Sequence, residues 1–292
     1  MVQGPGGSCP QKKEMLIVLK KYFWLVFAFL LGLTVWLPCG QAGAARARQD
    51  YAPVLMYHDI KAFPLNSFDV TERDFKKQLD WLQENHYRTL SMDEYIDILD
   101  SGKPFPEKSV LITFDDGYDG VYTRAMPALI QHNMKATFFI VKKGFNIKLV
   151  GYPCLSRREV AEMAQNPLFT IGSHTLTHPD LTKLSAEELQ KELQGSKALV
   201  EKITGKACRA LAYPYGFSDP KSRAAAQAAG YKAAFSIACA DPQGSDTRYT
   251  IPRIYMGMEL GENDNALFKK YLKEYSQMPA EAFAERYGAV KY

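Results

Sequence analysis

Short runs of β-branched and apolar residues alternate along this chain with stretches that open on helix-capping residues, and this alternation constrains the fold more than any single motif. Pro53 to Tyr57, Val110 to Phe114, Ala136 to Val141, Phe169 to Ile171, Arg209 to Tyr213, Ala233 to Ile237 and Ile251 to Tyr255 read as strands, with Thr89-Leu90 a brief further one. Between them Thr71 and Asp74, Ser91 and Glu94, Ser156 and Glu159, and Ser185 and Glu188 stand at the spacing of an N-terminal helix cap. An apolar strand set between helices is covered on both faces, which is the condition of a parallel sheet. The expectation is an α/β fold, and seven or eight units without a linker predict a distorted (β/α)7-8 barrel. No repeat or low-complexity tract breaks residues 51–292, so these read as one domain.

The N-terminus is of a different kind. Lys12, Lys13, Lys20 and Lys21 precede an apolar run from Tyr22 to Leu37, and Ala42-Gly43-Ala44 follows as a small-residue cleavage pattern. Residues 1–44 read as a secretory signal peptide, with an uncleaved membrane anchor as the alternative, because the run is shorter than the ~20 residues that comfortably span a bilayer. Cys39 does not make a lipoprotein signal, since Trp36-Leu37-Pro38 before it lacks small residues. The domain is expected to be exported, periplasmic or extracellular, and to meet a membrane only through this segment. Those four lysines, against Glu14, carry most of the formal net charge of +4, so the domain has no basic footprint for nucleic acid. Cys154, Cys208 and Cys239 remain beyond the leader and read as buried thiols.

Parallel α/β folds gather their sites at the C-terminal ends of the strands. In this chain those ends carry His58, the pair Asp115-Asp116 before Gly117, His174, the turn Tyr213-Pro214-Tyr215-Gly216, and Arg253. Asp-Asp-Gly after a strand is also ordinary turn chemistry. Two adjacent carboxylates nevertheless call for a cation or a shared proton nearby. His174 and His178 lie four apart, and Pro179 confines them to a single turn or loop. With one carboxylate they make a three-ligand set with open positions, the pattern of catalytic zinc.

Thr113-Phe114-Asp115-Asp116-Gly117, His174-Thr175-Leu176-Thr177-His178 and Pro214-Tyr215-Gly216, in that order, resemble the polysaccharide deacetylases with a NodB-homology domain, carbohydrate esterase family four. The resemblance spans Ala52 to Tyr255. It implies a NodB-type barrel and a divalent metal, most simply Zn2+, held by Asp116, His174 and His178. It further implies Asp115 as general base and the Tyr215 N–H as an oxyanion donor. Two departures stand out. Where many members carry a base-orienting arginine, this chain has Ala212, so Arg253 is the substitute. No histidine follows His178, so His58 is assigned as the proton donor, with His86 and His132 left to solvated roles. Pro53 to His58 is similar to the subgroup acting on poly-N-acetylglucosamine, in which the fold looks circularly permuted. The expected function is removal of N-acetyl groups from an N-acetylhexosamine polymer with release of acetate. Alternatives are a peptidoglycan or chitooligosaccharide deacetylase, or a non-catalytic carbohydrate-binding protein on the same fold.

Overall fold

A computed structural model describes residues 51–146, 148–149, 152–237, 247–257 and 264–275. The N-terminal segment and Cys239 lie outside the described residues. The strands are β1 (Val54–Tyr57), β2 (Asp59–Lys61), β3 (Asp69–Thr71), β4 (Arg88–Thr89), β5 (Ser109–Phe114), β6 (Ala136–Ile140), β7 (Lys148–Leu149), β8 (Tyr152–Pro153), β9 (Phe169–Ser173), β10 (Ala210–Ala212), β11 (Ala233–Phe235) and β12 (Ile254–Tyr255). The α-helices are α1 (Glu72–Glu84), α2 (Met92–Ser101), α3 (Met126–Gln131), α4 (Arg157–Met163), α5 (Ala186–Thr204), α6 (Pro220–Ala228) and α7 (Asp264–Tyr275). No helix among the described residues is long and apolar enough to cross a membrane.

The helices begin where local chemistry puts them. Ser91, Ser156 and Ser185 each accept the N–H of the glutamate three residues on, and each glutamate returns the bond to the cap. Thr71 accepts the Asp74 N–H at 2.9 Å. The stretch around Pro127 divides into a π-helical turn, Val121–Ala125, followed by α3 with the proline in its first turn.

The principal sheet is eight-stranded and runs β11-β10-β9-β6-β5-β1-β12, with β4 beside the start of β5. Every pairing in it is parallel. Its two edges meet through one short segment. Ile251 bridges to Phe235 of β11, and Ile254 and Tyr255 pair with Leu55 and Met56 of β1. The result is the parallel barrel expected of the sequence, with a last wall only a few residues long. The pairs β2–β3 and β7–β8, which have no hydrophobic pattern of their own, stand apart as two-stranded ribbons.

Both faces of each barrel strand are buried, but against different partners. Leu55, Ile112, Phe114 and Phe138 pack outward with the helices. Val54, Leu111, Phe139, Ala212, Phe235 and Ile251 pack inward together, over Tyr95 and Phe105. Since side chains alternate along a strand, the inward face of β1 continues through Met56 to His58, and that of β5 through Thr113 to Asp115. By the same count Ile251 leads to Arg253, and Gly172, whose added Cβ would sit 2.5 Å from Phe139, leads to His174. The lumen is apolar at its floor and polar at its rim.

Candidate active site

His58, Asp115, Asp116, His174, His178 and Tyr215 all line one cleft at that rim, with a volume of about 320 Å³, a size suited to a small-molecule site. Arg253 stands behind Asp115. Its two terminal nitrogens each donate to one carboxylate oxygen at 2.7 Å, and its Nε donates to the Ser236 carbonyl at 3.3 Å. Both partners are buried, 0% and 3% exposed at the side chain. Burial alone would raise the Asp115 carboxyl, but the charges of Arg253 and His174 and the Arg253 hydrogen bonds outweigh it, leaving it at about 2. Arg209, at the opposite end of β10, is bound to Asp93 and Asp97 far from the cleft.

Asp116, His174 and His178 offer one donor atom each, and the three atoms lie within 4.8 Å of one another. The Asp116 Oδ1 is 3.6 Å from His174 Nε2 and 3.5 Å from His178 Nε2. Donors bound to one zinc at ~2.1 Å in tetrahedral array stand about 3.4 Å apart, so the two separations from the Asp116 oxygen fit a shared ion. The tautomer fits as well. His174 Nδ1–H donates to the Ala212 carbonyl at 2.7 Å, so Nε2 faces the carboxylate as a lone pair. Burial holds His174 down at about 3 and lowers His178 also, so both rings are neutral and free of charge to oppose a cation. Burial raises the Asp116 carboxyl, against His58 and with the help of Asp115. Two acceptors facing each other in a buried place repel unless a cation lies between them.

The backbone at the site is held in an uncommon conformation. Asp116 (φ 68°), Thr175 (φ 72°), His178 (φ 62°) and Tyr215 (φ 59°) are all left-handed, at a cost on the order of 1–3 kcal/mol each. For Thr175, β-branched, this is a true outlier. Strand β5 ends at Phe114, and the reversal at Asp116 and Gly117 turns the second carboxylate away from the first and toward the histidines. At Gly216 (φ 70°) an added Cβ would lie 2.6 Å from the Ile237 nitrogen, which is why a glycine follows Tyr215. The Tyr215 ring, 44% exposed, packs edge-on against His178 with centroids 4.7 Å apart.

His58 is 8% exposed, between Phe68 and Tyr255, and its Nδ1 is buried without a hydrogen-bond partner. Burial lowers its pKa, while Asp116 and Asp115 pull it up. His86 is exposed, whereas His132 is half-buried, pinned between the Ala128 carbonyl at 2.7 Å and Asp80 at 2.9 Å. Neither lines the cleft. Tyr118, which in the sequence is no more than an aromatic face near a strand end, hydrogen-bonds Asp116, and Glu192, which the sequence did not mark, receives on its carboxylate the backbone between the two histidines. The only signal for Glu192 was a buried acid on an otherwise polar helix, which a sequence cannot mark as buried.

A site at the C-terminal ends of parallel strands is general to α/β barrels, and the sequence narrows the class. A model of the polysaccharide deacetylase family matches residues 102–234. The matched stretch contains Asp115, Asp116, His174, His178 and Tyr215; His58 and Arg253 lie outside it. A Bacillus subtilis protein named as a polysaccharide deacetylase, YxkH, is 36% identical over 180 residues, 62% of each chain. The match thus spans less than two thirds of that relative's length. The poly-beta-1,6-N-acetyl-D-glucosamine N-deacetylase of Staphylococcus epidermidis is 28% identical over 253 residues, 79% of this chain and 85% of that one. Among solved structures, Streptococcus pyogenes deacetylase PplD in complex with acetate superimposes with a TM-score of 0.65 at 24% identity, over 74% of this chain and 97% of that one. It shares the fold.

Proposed function

We propose that this protein is a metal-dependent hydrolase that removes N-acetyl groups from an N-acetylhexosamine polymer, poly-β-1,6-N-acetylglucosamine in the first place. The observation that carries the reading is the juxtaposition of an arginine-held carboxylate, Asp115, with three donors, Asp116, His174 and His178, at the spacing of one cation. The polymer is taken from the named Staphylococcus epidermidis relative.

Asp116, His174 and His178 hold the cation, zinc by their nitrogen-rich set, and when bound it supplies Lewis acidity toward water and an amide carbonyl. Asp115 accepts the proton of the water that adds to the acetyl carbon. Its carboxyl, held at about 2, is a weak base but always ionised, and it passes the proton on readily. Arg253 keeps that carboxylate charged and both oxygens fixed. The Tyr215 N–H donates to the oxygen on which negative charge develops. His58 gives a proton to the nitrogen as the C–N bond breaks, which leaves acetate and a free amino sugar, and recovers it through solvent from Asp115. The burial that lowers His58 makes its imidazolium a stronger acid, and the two carboxylates keep that form accessible. Residues 1–44 export the domain, as a cleaved signal or a retained anchor.

The test is acetate release from β-1,6-linked N-acetylglucosamine oligomers, with chitooligosaccharides and peptidoglycan assayed in parallel. Turnover on the β-1,6 oligomers that a chelator abolishes supports the reading. Turnover on peptidoglycan alone moves the substrate, and polymer binding without acetate release replaces the enzyme with a binding protein.

A further inference from the structure

We infer that Glu192 is a positioning residue that sets the separation of His174 and His178, and with it the affinity of the site for a divalent cation. The inference rests on the cation reading above. Glu192 lies on α5, outside the cleft, with its side chain turned to the histidine loop. Its Oε2 accepts the N–H of Leu176 at 2.8 Å and of Thr177 at 3.0 Å, and its Oε1 accepts the Thr177 hydroxyl at 2.7 Å. These are residues between the two histidines. Both oxygens are thus engaged by one loop, and the residue is 8% exposed.

That loop needs an external hold. Thr175 and His178 are left-handed; Thr175 N–H donates to Ser173 Oγ of β9 at 3.2 Å and His178 N–H to Thr175 Oγ1 at 3.0 Å, but neither bond holds Leu176 and Thr177 between them. His174 is fixed independently through Ala212, but the His178 side chain is 26% exposed and follows the loop. Lys143 N–H donates to the Leu176 carbonyl at 2.9 Å and holds the loop from β6's side, while Glu192 holds it from the helix side.

Gly195 supplies a second, independent sign. It sits in the interior of a 19-residue helix, where glycine is unfavourable. A Cβ there would lie 2.7 Å from Leu176 Cδ1. Residues three apart share a helix face, so the face that binds the loop through Glu192 also leaves a seat for Leu176 at Gly195. Outer-shell contacts of this kind normally act on a ligand ring; this one acts on the backbone that spaces two ligands.

The experiment measures zinc affinity of the full chain by competition with a chromophoric chelator, and the visible spectrum of the cobalt(II)-substituted protein. Glu192→Ala is expected to weaken zinc binding by ~10- to 100-fold and to change the cobalt spectrum, with thermal unfolding of the metal-free protein near wild type. Glu192→Gln should restore affinity to within about threefold, because its carbonyl can accept both N–H groups and its amide can donate to Thr177 Oγ1. If Glu192→Ala does not fold, Glu192→Asp, which keeps the charge but shortens the reach by a methylene, is expected to show the same loss. Wild-type affinity in Glu192→Ala or Glu192→Asp, or a Gln variant as weak as Ala, overturns the assignment. A wild-type chain that takes up no zinc overturns the cation reading itself, before any variant is compared.

Discussion

Arg253 and Asp115, 138 positions apart in the chain, meet at the barrel rim as a two-pronged ion pair with both contacts at 2.7 Å. Removing the arginine takes away the largest opposing charge, and burial then raises the Asp115 pKa against only the weaker pull of His174 and His58. As the proposed base Asp115 would act ionised, so Arg253→Met should move the acid limb of kcat/KM to higher pH and lower turnover on the order of 10²-fold. The stability signs agree. With its carboxyl at about 2, below the ordinary value of 3.8, Asp115 contributes roughly 2 kcal/mol above pH 4 that is lost as pH falls toward 2. In Arg253→Met that pH dependence should reverse, which denaturant titrations at several pH values would read. An unmoved acid limb would count against the pairing.

Asp115→Asn removes the proposed base and keeps its shape. Acetate release should fall by ~10³-fold while zinc content stays stoichiometric, because Asp115 is not among the three residues proposed to hold the ion. His178→Ala should do the reverse in order, losing zinc first and activity with it. Metal analysis of both variants beside acetate assays separates the two roles, and loss of zinc in Asp115→Asn would merge them.

His58→Ala should cost on the order of 10²-fold or more in turnover with metal content unchanged, if the ring with its unpartnered Nδ1 is the proton donor. Rates near wild type would remove His58 from the mechanism.

Gly120 has ordinary helical backbone (φ −61°) and is required for space alone. An added Cβ would lie 2.0 Å from Asp59 Oδ1 and 2.3 Å from the Ile60 carbonyl. Gly120→Ala should therefore destabilise the protein by about 2–4 kcal/mol and, by displacing the corner that follows His58, lower activity. Thermal unfolding with acetate release checks both, and a stable variant would mean that this corner yields freely.

Much of the architecture was legible because its signals are local. Ser91, Ser156 and Ser185 cap their helices as their spacing to glutamate predicts, since a cap is an interaction among four neighbouring residues. Strand ends fell within a residue or two, except that β12 begins at Ile254 and not at Ile251, while β9 runs on through Gly172 and Ser173. Gly172 reads as a strand breaker in isolation, yet the packing of Phe139 demands it. The β2–β3 and β7–β8 ribbons escaped notice because two or three residues carry no periodicity.

The candidate residues were legible by type and position, but their relations were not. A strand buried on both faces has no polar alternation to mark which face is inward, so Val110 to Phe114 could not tell which of Asp115 and Asp116 looks into the lumen. The turn at Asp116 and Gly117 assigns them. The sequence offered Arg253 as the partner of Asp115 only through the family resemblance, not through any local pattern. The pairing itself is made by the segment 251–255, which joins β11 to β1 and so carries an inward-facing arginine to the opposite wall. By itself the sequence determined the alternation of capped helices and apolar strands, and the residue types at the strand ends, because these depend on neighbours along the chain. Only the closed barrel decided which charges face one another, because that depends on the parity and register of strands far apart in sequence.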